Sequence, residues 1–254
     1  MFKTGWIDSH AHIFSKEFNE DINQVIENAK ENDIARIMVI CSDLNEVEQA
    51  LELSKKDKLF KVATGIHPCD QKTLTQSDWE LFLKYAHDEN IVAIGEIGLD
   101  YYWEKDNHKS QQELFIKQIE LAEKLNKPII VHSRDALQDT FDIMKNYKVK
   151  GVLHSYSGSI EMAKEFTKLG YYISLAGPVT FKNAVKPKEV ATLVDIDKLL
   201  IETDCPYLTP VPFRGKRNEP MYVKHTGKYV AQLRNMDEKD LQKQLCVNYD
   251  NLFK

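Results

Sequence analysis

Short apolar runs rich in Ile and Val recur along the chain, alternating with stretches whose apolar positions repeat every three or four residues. The first pattern suits strands buried on both faces and the second suits helices with one apolar stripe. Their alternation therefore predicts βα units around a parallel sheet. Eight strands are expected, near residues 4–9, 35–41, 59–66, 91–96, 128–132, 149–154, 170–175 and 198–203. Between them, Leu44, Val47 and Leu51 behind Ser42 read as a capped helix. Ser77-x-x-Glu80 has the form of a capping box, and Ser110-x-x-Glu113 reads as a second helix start. Leu137, Phe141 and Met144 form another helical stripe, as do Ile160, Ala163 and Phe166, and a last helix is expected from about Asp237 to Leu252.

Polar residues interrupt this pattern at repeated places. His10, His12, Glu96, His132, His154 and Asp204 each stand at the end of an apolar run. In Asp8-Ser9-His10-Ala11-His12, two imidazoles one residue apart project from the same side of an extended chain, so both reach one cation. The six donors follow the first, fourth, fifth, sixth and eighth strands. An open sheet would spread those strand ends apart, whereas a closed one brings the first and eighth together and gathers the donors on its C-terminal rim. The expected fold is thus a single (β/α)8 TIM-like barrel over residues 1–254, with an extra C-terminal helix.

Composition is compatible with this. A 254-residue chain with 43% hydrophobic and 29% charged residues has the makeup of a globular enzyme and the length of one barrel. The four cysteines, Cys41, Cys69, Cys205 and Cys246, lack a C-x-x-C pair and read as reduced thiols, with Cys205 a small buried filler. The start shows no signal-peptide pattern, and no apolar run nears the ~18 residues of a membrane span, so a soluble cytoplasmic protein with no membrane partner is expected. A net charge of −5 is no footprint for non-specific duplex binding, so an anionic substrate must be held by local groups and bound cations.

Four histidines with Glu and Asp suit a dinuclear transition-metal centre. Two ions about 3.5–4 Å apart activate a water and stabilise attacking and leaving oxygens in an in-line displacement. Glu96, midway round the ring, is expected to bridge the ions. Asp204 is expected to hold a metal through one oxygen and take the nucleophile's proton with the other. Zn, Mn, Fe, Co, Ni and Mg all remain open as the metal. His67, before Pro68, is expected to be a substrate donor or an outer partner rather than a seventh ligand. After Asp204 runs a long irregular loop carrying Arg214, Lys216 and Arg217, which with Arg134 are expected to contact phosphate. Tyr101, Tyr102 and Trp103 are candidates for stacking on a base.

Six motifs in order resemble the signatures of the TatD family of metal-dependent hydrolases. They are Asp8-Ser9-His10-Ala11-His12, Gly65-Ile66-His67-Pro68, Gly95-Glu96-Ile97-Gly98-Leu99-Asp100-Tyr101-Tyr102, Val131-His132-Ser133-Arg134-Asp135-Ala136, His154-Ser155-Tyr156-Ser157-Gly158 and Glu202-Thr203-Asp204-Cys205-Pro206-Tyr207-Leu208. The resemblance covers effectively the whole chain. It implies a β/α barrel, one or two divalent cations and deoxyribonuclease activity of 3'-5' exonuclease type, and it carries ligation onto the same six residues. His154-Ser155-Tyr156 departs from the commoner His-Cys-Phe, and Cys205 stands where Ala is frequent. Neither change removes a ligand.

The leading expectation is a metal-dependent phosphodiesterase acting on DNA ends, without an obligate protein partner. The alternative is a small-molecule amidohydrolase or esterase on the same centre, because activated water attacks carbonyl carbon as well as phosphorus. A non-catalytic protein whose metals only stabilise the fold is the third reading.

Overall fold

The computed structural model describes residues 4–41 and 43–254. Ser42, expected to cap a helix, lies outside the described residues. The strands are β1 (Trp6–Ala11), β2 (Ile34–Cys41), β3 (Phe60–Thr64), β4 (Ile91–Asp100), β5 (Ile129–Arg134), β6 (Gly151–Leu153), β7 (Tyr172–Leu175) and β8 (Leu199–Ile201). All pair in parallel, in sequence order, as one eight-stranded sheet. Crossovers are made by α1 (Ile22–Glu31), α2 (Val47–Lys56), α3 (Gln76–Ala86), α4 (His108–Leu125), α5 (Leu137–Met144), α6 (Ile160–Lys168) and α7 (Val185–Leu193); α8 (Val223–Arg234) and α9 (Glu238–Leu252) follow β8. Every residue of β1 and β2 is buried, as expected for strands covered by helices outside and by barrel contents inside.

The sheet closes between its first and last strands. Asp204 N–H donates to the His10 carbonyl at 2.9 Å and His12 N–H to the Cys205 carbonyl at 3.0 Å. Inside the barrel the Ser9 hydroxyl reaches the Ile201 carbonyl at 3.1 Å and Ser174 Oγ at 2.8 Å, so hydroxyls satisfy one another in the core. At the opposite end α9 fastens the same junction, with Asn248 Nδ2 donating to the carbonyls of Leu199 at 2.7 Å and Ile196 at 2.8 Å.

Several boundaries differ from the expected ones. β4 runs to Asp100 rather than ending at Glu96, because Gly98, Leu99 and Asp100 continue to pair with His132, Ser133 and Arg134. Gly98 is required there: its φ is +143°, and a Cβ would lie 2.0 Å from the His132 carbonyl oxygen. The capping box at the start of α3 is Thr75 with Asp78, not Ser77 with Glu80; Thr75 and Asp78 exchange side-chain and backbone hydrogen bonds reciprocally. Ser110 lies inside α4, which begins at His108. Gln111 sets that start by bonding both the N–H and the carbonyl of Asp100, at 2.8 and 2.9 Å, which ties the first helical turn to the end of β4. α9 begins as expected, with Asp237 accepting from Lys239 N–H at 2.8 Å. No helix among the described residues is long and apolar enough to cross a membrane.

Candidate metal centre

The six expected donors converge at the C-terminal rim, where the strand ends meet. Glu96 lies among the histidines with its two oxygens facing different partners. Oε2 is 3.3 Å from His10 Nε2 and 3.7 Å from His12 Nε2, while Oε1 is 2.8 Å from His132 Nδ1 and 2.7 Å from His154 Nε2. Asp204 Oδ1 sits 3.7 Å from His10 Nε2 and 3.5 Å from His12 Nε2. The rings of His10 and His154 stack with centroids 4.0 Å apart. Within His10, His12 and Glu96, and again within His10, His154 and Asp204, one ligating atom per residue falls within 4.8 Å of the others. Imidazole and carboxylate donors from six places in the chain, aimed at a common space, fit divalent transition-metal ions.

Three acidic residues that the sequence reading did not single out hold these donors in place. Asp100 Oδ2 holds the His132 ring through Nε2 at 3.0 Å, with Nδ1 turned toward Glu96. Glu202 Oε1 does the same for His154 through Nδ1 at 3.2 Å, and also accepts the Ser155 N–H at 2.7 Å. Asp8 binds the Thr203 N–H at 2.9 Å, the Thr203 hydroxyl at 2.6 Å and the His10 N–H at 3.3 Å, joining β1 to the chain after β8. Such partners fix the ring orientation of metal-binding histidines. Their sequence signal was present, since an acidic residue inside an otherwise apolar strand must find a buried partner.

Carboxylates and imidazoles at the rim shift one another: against the effect of burial, Glu96 and Glu202 hold His154 well above its ordinary value. Burial alone would raise the Glu96 pKa, but His154 and His10 beside it hold the carboxyl well below its ordinary value. Asp204 likewise stays below its ordinary value, because a hydrogen bond from His12 and the nearby His10 and His154 outweigh burial. Burial pushes the His10 pKa down.

His67 is a fifth histidine in reach, with Nε2 3.7 Å from Glu96 Oε1, and it forms a third group of close donor atoms with Glu96 and His132. Its Nδ1 accepts the Cys69 N–H at 3.2 Å, and burial lowers its pKa to about 4. With Nδ1 accepting a backbone proton, Nε2 is the ring nitrogen that faces the centre. Of the cysteines, Cys205 is buried and free, as expected beside Asp204.

A cavity of about 660 Å³ opens onto the centre, lined by His132, His154 and Asp204 and by the apolar Leu175, Val179 and Leu208. The structure places the expected phosphate contacts unequally. Arg134 lines this cavity, and its guanidinium lies 4.0 Å over the Tyr102 ring and 5.4 Å from that of Trp103. Arg214 lies over Phe181 at 4.3 Å and Lys216 over Phe213 at 5.6 Å, and neither lines the cavity. Arg217 is turned away from it, held by Asp21 at 2.6 and 2.9 Å and by Glu219 at 3.1 Å while packing over Phe18, so its charge is already matched. Tyr101 is also occupied otherwise, donating its hydroxyl to Asp139 at 2.8 Å and stacking on His108 at 3.6 Å.

Comparison with known proteins gives a consistent pattern. Residues 7–254 match the family described as TatD related DNase. The chain is similar to the uncharacterized metal-dependent hydrolase YabD of Bacillus subtilis, 43% identical over 250 residues that cover 97% of this chain and 98% of the relative. It is 36% identical to the uncharacterized metal-dependent hydrolase YcfH of Escherichia coli over 253 residues, 97% of this chain and 95% of that one. Among solved structures, YjjV, a TatD homologue from Escherichia coli K12, aligns with a TM-score of 0.91 at 27% identity, covering 98% of this chain and 97% of the other.

Proposed function

Because the chain belongs to the TatD related DNase family and is a metal-dependent hydrolase, we propose that it cleaves phosphodiester bonds at the ends of DNA strands, in the 3'-5' direction that the resemblance implies. The observation that carries this reading is the position of Arg134. It is the cation that lines the cavity beside the donor cluster, and it makes no ion pair among the described residues. A free guanidinium next to a metal centre is the group that clasps phosphate with two donors.

In this reading His10, His12, Glu96, His132, His154 and Asp204 would hold two divalent ions, and the two Glu96 oxygens already face different pairs of histidines. Bound ions supply Lewis acidity and an activated water. The protein's own groups do the rest. Asp204 would accept the proton of the attacking water, His67 would donate from Nε2 toward an oxygen of the reacting group, and Arg134 would orient the phosphate. The paired Arg217 is left to hold the loop after Asp204 against α1, while Arg214 and Lys216 meet only more distal parts of a longer strand.

The apolar wall formed by Leu175, Val179 and Leu208 favours a second reading, hydrolysis of a neutral cyclic amide or ester. One screen separates the two. Metal-loaded protein is offered end-labelled single-stranded DNA, RNA, simple phosphodiesters and cyclic amides, beside a Glu96→Gln control. Stepwise shortening of DNA that Glu96→Gln abolishes is the expected result. Intact DNA and RNA with hydrolysed amide would replace the first reading by the second, and unchanged activity in the Glu96→Gln protein would remove the metal centre from catalysis altogether.

A further inference from the structure

Among the described residues only three Phe, Trp or Tyr side chains are exposed, Tyr102 at 44%, Trp103 at 66% and Tyr207 at 58%; Trp103 and Tyr207 line the same cavity, and Tyr102 packs against Trp103 and the cavity-lining Arg134. Exposing large rings is unfavourable in water, and isolated cases need no explanation, but a cluster confined to one opening marks a contact surface. The rings on the β4 side are also held in place. Tyr102 and Trp103 meet edge to face at 4.8 Å, and Arg134 lies against both. Their backbones are anchored by one carboxylate, since Asp100 Oδ1 accepts the N–H of Tyr102 at 3.0 Å and of Trp103 at 2.8 Å. The other oxygen of Asp100 is the one that holds His132. A single buried group thus sets both a donor of the metal centre and the platform beside it.

We infer that Trp103, buttressed by Tyr102 and Arg134, is a stacking subsite for the nucleobase adjoining the scissile phosphate. This inference rests on the phosphodiesterase reading above. Its chemistry is the pairing of a ring face with a π-surface, which every base supplies, so the subsite selects for the presence of a base and for an unpaired strand, without reading sequence. Arg134 serves both ends of that unit, because its planar face packs on the rings while its edge donors remain for the phosphate. A duplex end cannot use the platform until its terminal base leaves the stack.

The test compares Trp103→Ala and Trp103→Phe with the unaltered protein, all metal-loaded. On a single-stranded thymidine oligonucleotide, Trp103→Ala should lose about tenfold in kcat/KM, chiefly through KM, while Trp103→Phe retains most of it. On the same oligonucleotide with abasic terminal residues, all three proteins should react at the same reduced rate. Equal rates for Trp103→Ala and the unaltered protein on the base-bearing strand would overturn the subsite. A second readout is independent of turnover. A thymidine dinucleotide joined by a 3'-methylenephosphonate, which keeps the negative charge but lacks the scissile P–O bond, should quench tryptophan emission in the unaltered protein, and this quenching should vanish in Trp103→Phe, where Trp6 and Trp79 remain. If no oligonucleotide is hydrolysed, the phosphodiesterase reading fails, and the quenching alone then decides the subsite: present, it stands as a base-binding surface; absent, it is refuted.

Discussion

Glu202 Oε1 lies 3.2 Å from Nδ1 of His154, and the opposite nitrogen of the same ring faces Glu96 at 2.7 Å. The carboxylate accepts the ring proton and so determines which nitrogen carries the free lone pair. Glu202 is fully buried and also holds the Ser155 N–H, whose residue adopts a left-handed φ of 44°. Weakening the acceptor should therefore loosen the donor. Glu202→Gln is expected to lower metal affinity about tenfold and Glu202→Leu about 100-fold, read by titration against a competing chelator. Unaltered affinity in both variants would show that His154 keeps its orientation without this partner.

His67 should separate from the six donors by experiment. With Nδ1 occupied by the Cys69 N–H, its contribution is a proton on Nε2. His67→Phe is expected to reduce kcat about 100-fold while the bound metal per chain stays as it was. A parallel loss of metal, measured by elemental analysis, would make it a ligand instead.

Arg134 and Arg217 make opposite predictions. Arg134→Ala should raise KM for a phosphodiester about tenfold with little change in melting temperature. Arg217→Ala removes a partly exposed pair with Asp21 and should cost no more than about 1 kcal/mol of stability, leaving KM unchanged. Reversed effects would show that the loop after Asp204 reaches the substrate.

His225, in α8 beside Phe213 and Tyr222, has its pKa held below the ordinary 6.5 by burial and by Lys224 and Lys228. The folded chain thus binds this proton less readily than the unfolded one. The associated stability is complete above 6.5 and is lost as pH falls from there toward the lower folded value. In His225→Gln the drop in melting temperature between about pH 7.5 and about pH 5.5 should be smaller than in the unaltered protein. An equal drop in the two would refute the assignment.

What the sequence determined by itself was whatever local periodicity carries. Apolar runs of strand length located all eight strands, and the two-residue spacing of His10 and His12 placed both imidazoles on one side of β1. Repetition of donors at run ends was enough to argue closure, because only a barrel brings the first and last strands together. Boundaries were less legible: the true capping residues of α3 and the reach of β4 depend on which side chain meets a backbone group, and Thr75 and Gln111 won over the serines nearby.

Tertiary structure alone decided which charges are free. Arg217 and Asp21 are 196 positions apart, and Asp8 meets Thr203 across 195, so neither pairing leaves a trace in local pattern. The same holds for Glu96, whose two oxygens face histidines from opposite parts of the ring only once the sheet has closed. Periodicity reports how a residue sits on its own element, whereas electrostatic partnership depends on distance through space, and that distance is fixed by the fold as a whole.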